Sequence, residues 1–161
     1  MTGSISGRAS FDKCAFVNTT GLQGIFTYSA FKDTITLDAL STEIILFRYC
    51  TSAVAGTAKA VFNCNGTAAD INFRGYTGGA KITNYTGGGN MSIDVESGSI
   101  EIDATCTAGT IVIRGDADVV DNSGVGCTVV NRAAALGSNL IETNAWAKKA
   151  SDNAEQANLK L

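Results

Sequence analysis

The residues best suited to chemistry are four carboxylates in two short runs, Ser92-Ile93-Asp94-Val95-Glu96 and Ser99-Ile100-Glu101-Ile102-Asp103. Glycosidic bond hydrolysis uses such pairs, one carboxyl held protonated as the acid and the other ionised. Hard oxygens on adjacent strands would also suit calcium, and Asp116-Ala117-Asp118 with Asp121-Asn122 form a second oxygen-rich stretch, expected in loops. Strict alternation, however, sets Asp94, Glu96, Glu101 and Asp103 together on one flat, exposed β face, opposite Ile93, Val95, Ile100 and Ile102 on the inner face. A flat face encloses no substrate, and solvated surface charge accounts for the cluster without a ligand. Tyr76 and Tyr85 are the nearby aromatic residues on which a sugar would stack. No catalytic, cofactor-binding or metal-binding residue is assigned, since turns built from Asp and Asn need no metal.

Other chemistries are narrowed by absences. The chain contains no histidine, which removes the Ser-His-Asp triad, the Cys-His pair and imidazole metal ligation. Its five cysteines, Cys14, Cys50, Cys64, Cys106 and Cys127, show neither a Cys-x-x-Cys motif nor zinc-ligand spacing, and are read as small buried thiols in a reducing environment. A net charge of −3 offers no basic field for a nucleic acid. No apolar run reaches the ~18 residues of a membrane span, and the first ten residues lack the basic start and apolar stretch of a secretory signal.

The elements that must position these residues follow from composition and repetition. A length of 161 residues, 45% hydrophobic and 17% charged, suits one folded domain. With 18 glycines and no proline, tight corners fall to Gly, Asn, Asp and Ser. Phe11-Asp12-Lys13-Cys14-Ala15-Phe16 recurs as Phe26-Thr27-Tyr28-Ser29-Ala30-Phe31, and more loosely as Phe47-Arg48-Tyr49-Cys50-Thr51. In each copy an aromatic is followed, three residues on, by a small Cys or Ser that fits a narrow core. Unequal spacing between copies suits a solenoid with constant rungs and variable corners. Short alternating runs follow at 71–73, 81–83, 91–95, 99–103, 110–114 and 127–130, separated by Thr77-Gly78-Gly79, Gly87-Gly88-Gly89, Ser97-Gly98, Ala108-Gly109 and Ser123-Gly124. A two-sheet sandwich also has short strands, and Ser97-Gly98 alone would close a hairpin. The narrow inward set, one or two small or β-branched residues per run, favours stacked rungs. The expected fold is therefore all-β, a parallel β-helix or triangular β-solenoid with a short C-terminal α-helix that self-associates.

Near Asn131 glycine gives way to alanine. Leu136, Leu140, Thr143, Ala147, Ala150, Ala154, Ala157 and Leu161 follow steps of four and three, a heptad seam expected to oligomerise. A helix over 140–161 would be roughly 33 Å long. Ala layers bury little, so it would either fold back as a cap on its own solenoid or form a bundle of identical chains, most simply three, with Trp146 at the flank. The expected organisation is a leader at 1–9, a solenoid at 10–131 and a helical oligomerisation segment at 132–161.

The stretch from Ile71-Asn72-Phe73-Arg74-Gly75-Tyr76-Thr77-Gly78-Gly79 through Asp103-Ala104-Thr105-Cys106-Thr107-Ala108-Gly109-Thr110-Ile111-Val112-Ile113-Arg114-Gly115 to Asp121-Asn122-Ser123-Gly124 resembles the β-helical region of tailed-phage and prophage virion proteins, those of tail fibres, tail spikes and minor structural proteins. The resemblance implies a homotrimeric fibrous protein of the virion, made in the host cytoplasm. It would contact other virion proteins and host surface glycan, without nucleic acid, cofactor or membrane insertion. It carries over no catalytic residue. The alternatives are a glycan-binding or capsid-decorating module and a polysaccharide depolymerase on the same fold.

Overall fold

The computed structural model describes residues 9–54 and 58–133. The expected seam, Leu136, Leu140, Thr143, Ala147, Ala150, Ala154, Ala157 and Leu161, lies outside the described residues, as do Trp146 and residues 1–8 of the leader. Among the described residues the structure is all-β, a parallel β-solenoid of about six turns. The early turns are broken into short strands: β1 (Ser10–Asp12), β2 (Ala15–Leu22), β3 (Ile25–Thr27), β4 (Ala30–Leu37), β5 (Ile45–Arg48), β6 (Thr51–Ser52) and β7 (Ala60–Asn63). The later turns are long: β8 (Ile71–Thr83), β9 (Asn90–Ile102), β10 (Thr110–Asp121) and β11 (Thr128–Ala133).

Every strand pairing is parallel, as a climbing chain requires, and this rules out the antiparallel sandwich. One column of aligned residues traces the axis: Phe11, Phe26, Phe47, Phe73, Ile93, Ile113 and Asn131. Successive turns thus take 15, 21, 26, 20, 20 and 18 residues, and the aromatic repeats are rungs with unequal corner loops. The Phe rings of this column stack at centroid distances of 5.1, 5.1 and 4.5 Å. Phe31 and Phe62 meet them edge-on from the opposite wall, at 5.3 Å from Phe47 in both cases. Each such pair adds about 0.5–1.5 kcal/mol beyond its buried area. Past Tyr85 the core becomes aliphatic, with Met91, Ile93, Val95, Ile100, Ile102, Ile111 and Ile113 all buried.

Corners are made where the chain can enter left-handed backbone. Lys13, Tyr28, Tyr49 and Gly75 hold φ of 53°, 48°, 52° and 64° at the end of the first face of successive turns. The ladder continues through these corners, with the Tyr28 and Tyr49 amides donating to Arg48 and Arg74 carbonyls at 2.9 and 2.7 Å. The small residues after them, Cys14, Ser29 and Cys50, stack inside the bend: Ser29 accepts from the Cys14 amide at 3.2 Å and is itself fully buried. A corner in the middle of β9 is built differently. Gly98 has φ of 150°, and a Cβ there would lie 2.0 Å from the Gly78 carbonyl oxygen, so backbone rests on backbone. Ser97-Gly98 therefore closes no hairpin; parallel pairing to β8 runs on both sides of it.

Candidate functional site

The corner at Gly98 corrects the expectation that four carboxylates share one face. The burial alternation in β9 breaks at Glu96, Ser97 and Gly98, three exposed residues in a row, and the chain turns onto a second side. Ile93 and Val95 point inward before the bend, Ile100 and Ile102 after it, all four buried as expected. Asp94 and Glu96 thus belong to one outer face, Glu101 and Asp103 to the next.

Glu101 and Asp103 are held by lysines. Lys59 Nζ lies 2.7 Å from Glu101, and Lys81 Nζ lies 2.9 Å from Glu101 and 2.8 Å from Asp103. Hydrogen bonds from Lys81 and then from Thr105 hold the Asp103 carboxyl down to about 2, and Lys59 followed by Lys81 lowers that of Glu101. The Asp103 and Glu101 carboxylates raise the Lys81 ammonium. Neither carboxyl is poised as a proton donor near neutrality, which the acid of a glycosidase must be.

Asp116, Asp118 and Asp121, expected in loops, lie in β10, because parallel pairing to β9 resumes after the bulge between Gly115 and Ala117. Among the described residues no three acidic or thiol side chains gather as a metal site. Tyr76 and Tyr85 are core residues rather than sugar platforms, each 1% exposed or less. Burial raises both phenols; the Tyr76 hydroxyl shares a 2.7 Å hydrogen bond with Ser52, which also donates to the Gly79 carbonyl. All five cysteines are free; Cys50, Cys64 and Cys106 are buried, and burial raises their thiols.

A grooved outer surface lies on the first halves of β8, β9 and β10. An open groove of about 510 Å³ is lined there by Tyr49, Asn72, Arg74, Ser92, Asp94, Glu96 and Arg114. A smaller hollow of about 160 Å³ shares Asn72, Ser92 and Arg114 and adds Asp70, Asn90 and Thr110. Tyr49 is exposed and stacks on exposed Tyr28 at 5.4 Å; its ring covers Gly75, where a Cβ would approach Tyr49 Cδ1 to 2.8 Å. The lining offers guanidinium, carboxylate, amide and hydroxyl groups.

No family model, curated protein or solved structure matches this chain.

Of the residues in the groove, sequence reasoning singled out Asp94 and Glu96, and missed Arg74 and Arg114. The signal was present: in Phe47-Arg48, Phe73-Arg74, Ile113-Arg114 and Asn131-Arg132 an arginine directly follows the residue of the axial column. Only once the rungs are in register does that recurrence become a place.

Proposed function

We propose that the protein is a non-enzymatic structural component, a shaft segment of a trimeric fibre or spike on a phage or phage-derived particle. The observation that carries the structural role is the unbroken parallel stack. Each rung bonds to the next through its backbone, giving a rod that resists bending and shear without any moving part. The virion and the trimer rest on the sequence resemblance and on the heptad positions at 136–161.

How the stack ends supports self-association. In the last turn inward positions become polar: Asp121 aligns with Ile102, and Asn131 with Ile113. The apolar column stops there, yet among the described residues β11 pairs with β10 alone, and Val119, Cys127 and Val129 are only partly covered. An unpaired strand edge with residual apolar surface invites another chain, and proteins cover such edges. Association through the following segment would cover it in a defined way. The ionised state of Glu101 and Asp103 favours this reading over a depolymerase.

Sedimentation of the full chain tests it. A trimer is expected, converting to monomer when Ala150→Asp and Ala154→Asp put charge into the seam. A monomeric parent chain, or a trimer unchanged by both substitutions, refutes the assembly reading. Glycan turnover abolished by Glu101→Gln refutes the non-enzymatic one.

A further inference from the structure

Two outward pairs of opposite charge share one register relation and differ in what they do. Lys81 aligns with Glu101 on the next rung, and the two are joined at 2.9 Å. Arg114 aligns with Asp94 in the same way, yet the two form no ion pair; the guanidinium donates instead to Ser92 at 3.5 Å. Pairing of Phe73 with Ile93 puts Arg74 one rung to the other side of Asp94, and Arg74 also makes no ion pair among the described residues. Where these charges stand apart, the surface is hollowed by the groove of about 510 Å³ that all three line. That volume is in the range of small-molecule sites, about 300–1,000 Å³.

Glu96 completes the charged lining. Gly75 has no side chain to separate its neighbours: a Cβ there would lie 2.8 Å from Tyr49 Cδ1 and 2.9 Å from Glu96 Oε1, so ring and carboxylate meet across it. Arg74, Asp94, Glu96, Arg114 and Tyr49 are all exposed. The groove therefore presents two guanidiniums and two carboxylates, balanced in charge, with an aromatic ring beside one of the acids.

That balance selects the ligand. A simple anion gains the arginines but is repelled by the carboxylates, and a simple cation meets the reverse. A net-neutral molecule carrying both signs satisfies both. A carboxylate fits the planar guanidinium fork. A primary ammonium has three protons to share between Asp94, Glu96 and water, and the Tyr49 ring at its side adds attraction. Spacing selects further, because adjacent rungs are about 4.8 Å apart. The nitrogen and carboxyl carbon of an α-amino acid are only about 2.5 Å apart, whereas three intervening carbons, extended, set them about 5 Å apart.

We propose that the groove binds a compact ω-amino carboxylate, its ammonium taken by Asp94 and Glu96 and its carboxylate by Arg74 and Arg114. The site lies within one chain and does not depend on the shaft or trimer reading.

Calorimetric titration of the full chain tests the proposal, with γ-aminobutyrate as the probe and glycine, butyrate and propylamine as comparisons. Saturable binding of γ-aminobutyrate that weakens with salt is expected, at least about tenfold tighter than that of any comparison, since each of those lacks one charge or the spacing. Asp94→Asn should weaken it about tenfold, one charge-assisted contact being lost, and joint Arg74→Gln and Arg114→Gln substitution at least as much. Lys81→Gln, on the other side of the Gly98 corner, should leave it within about twofold. The substituted side chains are exposed, and a cooperative urea transition shows that each variant is folded. No binding of γ-aminobutyrate, equal binding of glycine, butyrate or propylamine, or full affinity in the folded Asp94→Asn or double-arginine variant each overturns the proposal.

Discussion

Two glycines with similar backbone and different surroundings isolate what rung stacking contributes. Gly115 has φ of 92°, and a Cβ on it would sit 1.9 Å from the Val95 carbonyl oxygen one rung away. Gly88 has φ of 79°, and a Cβ there would meet nothing within 4 Å. Alanine at either position bears the left-handed penalty of about 1–2 kcal/mol. At Gly115 the neighbouring backbone must also retreat, by about 1.1 Å to reach even the 3.0 Å limit of real contacts. With rungs about 4.8 Å apart, that displacement takes neighbouring N–H···O bonds beyond useful range. Losing two of them at about 1 kcal/mol each brings the total for Gly115→Ala to about 3–4 kcal/mol, against about 1–2 for Gly88→Ala. In urea denaturation at fixed protein concentration, the Gly115 variant should lose about 1.5–2 M in midpoint at unchanged slope, against about 0.5–1 M for the Gly88 variant, for a slope of about 2 kcal/mol/M. Midpoints for the two variants that agree within error would refute the claim that these corners rest backbone upon backbone.

Acid titration tests the lysine-bridged carboxylates. Glu101 and Asp103 titrate lower in the folded chain than in the unfolded one, so their stabilisation is complete above the ordinary values of 4.5 and 3.8 and is lost as pH falls toward about 2. Asp103→Asn should therefore be less stable than the parent at pH 7 and equal to it near pH 2; a deficit that persists in acid would assign Asp103 a role outside this network. The Tyr85 hydroxyl is buried and has no hydrogen-bond partner among the described residues. Tyr85→Phe should consequently be neutral or stabilising by up to about 1 kcal/mol in thermal denaturation, and a clear loss of stability would reveal a partner for that hydroxyl.

The inward half of this fold is legible in the sequence because a narrow core tolerates few residue types. Ile71, Phe73, Ile93, Val95, Ile100, Ile102, Ile111 and Ile113 are buried as their alternation requires. The repeat of Phe11 in Phe26 and Phe47 gives true rungs despite unequal spacing. Direction across a corner is not legible. Alternation fixes which residues of a run point outward, but not the angle between one run and the next, so Asp94 and Glu101 both point outward without sharing a face. The same limit put Tyr76 and Tyr85 outside, although each lies beyond a bend that returns it to the core. Asp116 and Asp118 read as a loop because Asp favours turns; pairing to β9 outweighs that preference.

Inward and outward positions of a solenoid answer to different constraints, and the difference bears on function. An inward column repeats because each residue must fill the space left by its neighbours, so a recurring Phe or Ile explains itself. An outward column has no such neighbour to satisfy, and random polar choice would fold as well. Recurrence there needs another cause, and it needs one most when the repeated residue repels its own copy. Lys59 and Lys81 meet this condition internally, by ion pairs with Glu101 and Asp103 on the β9 rung. Arg48, Arg74, Arg114 and Arg132 make no ion pair among the described residues; the acids in their row are Asp94 between Arg74 and Arg114 and Asp12 two rungs before Arg48. Folding does not require the recurrence of these arginines, which are exposed along a line of about 19 Å (about four rung spacings).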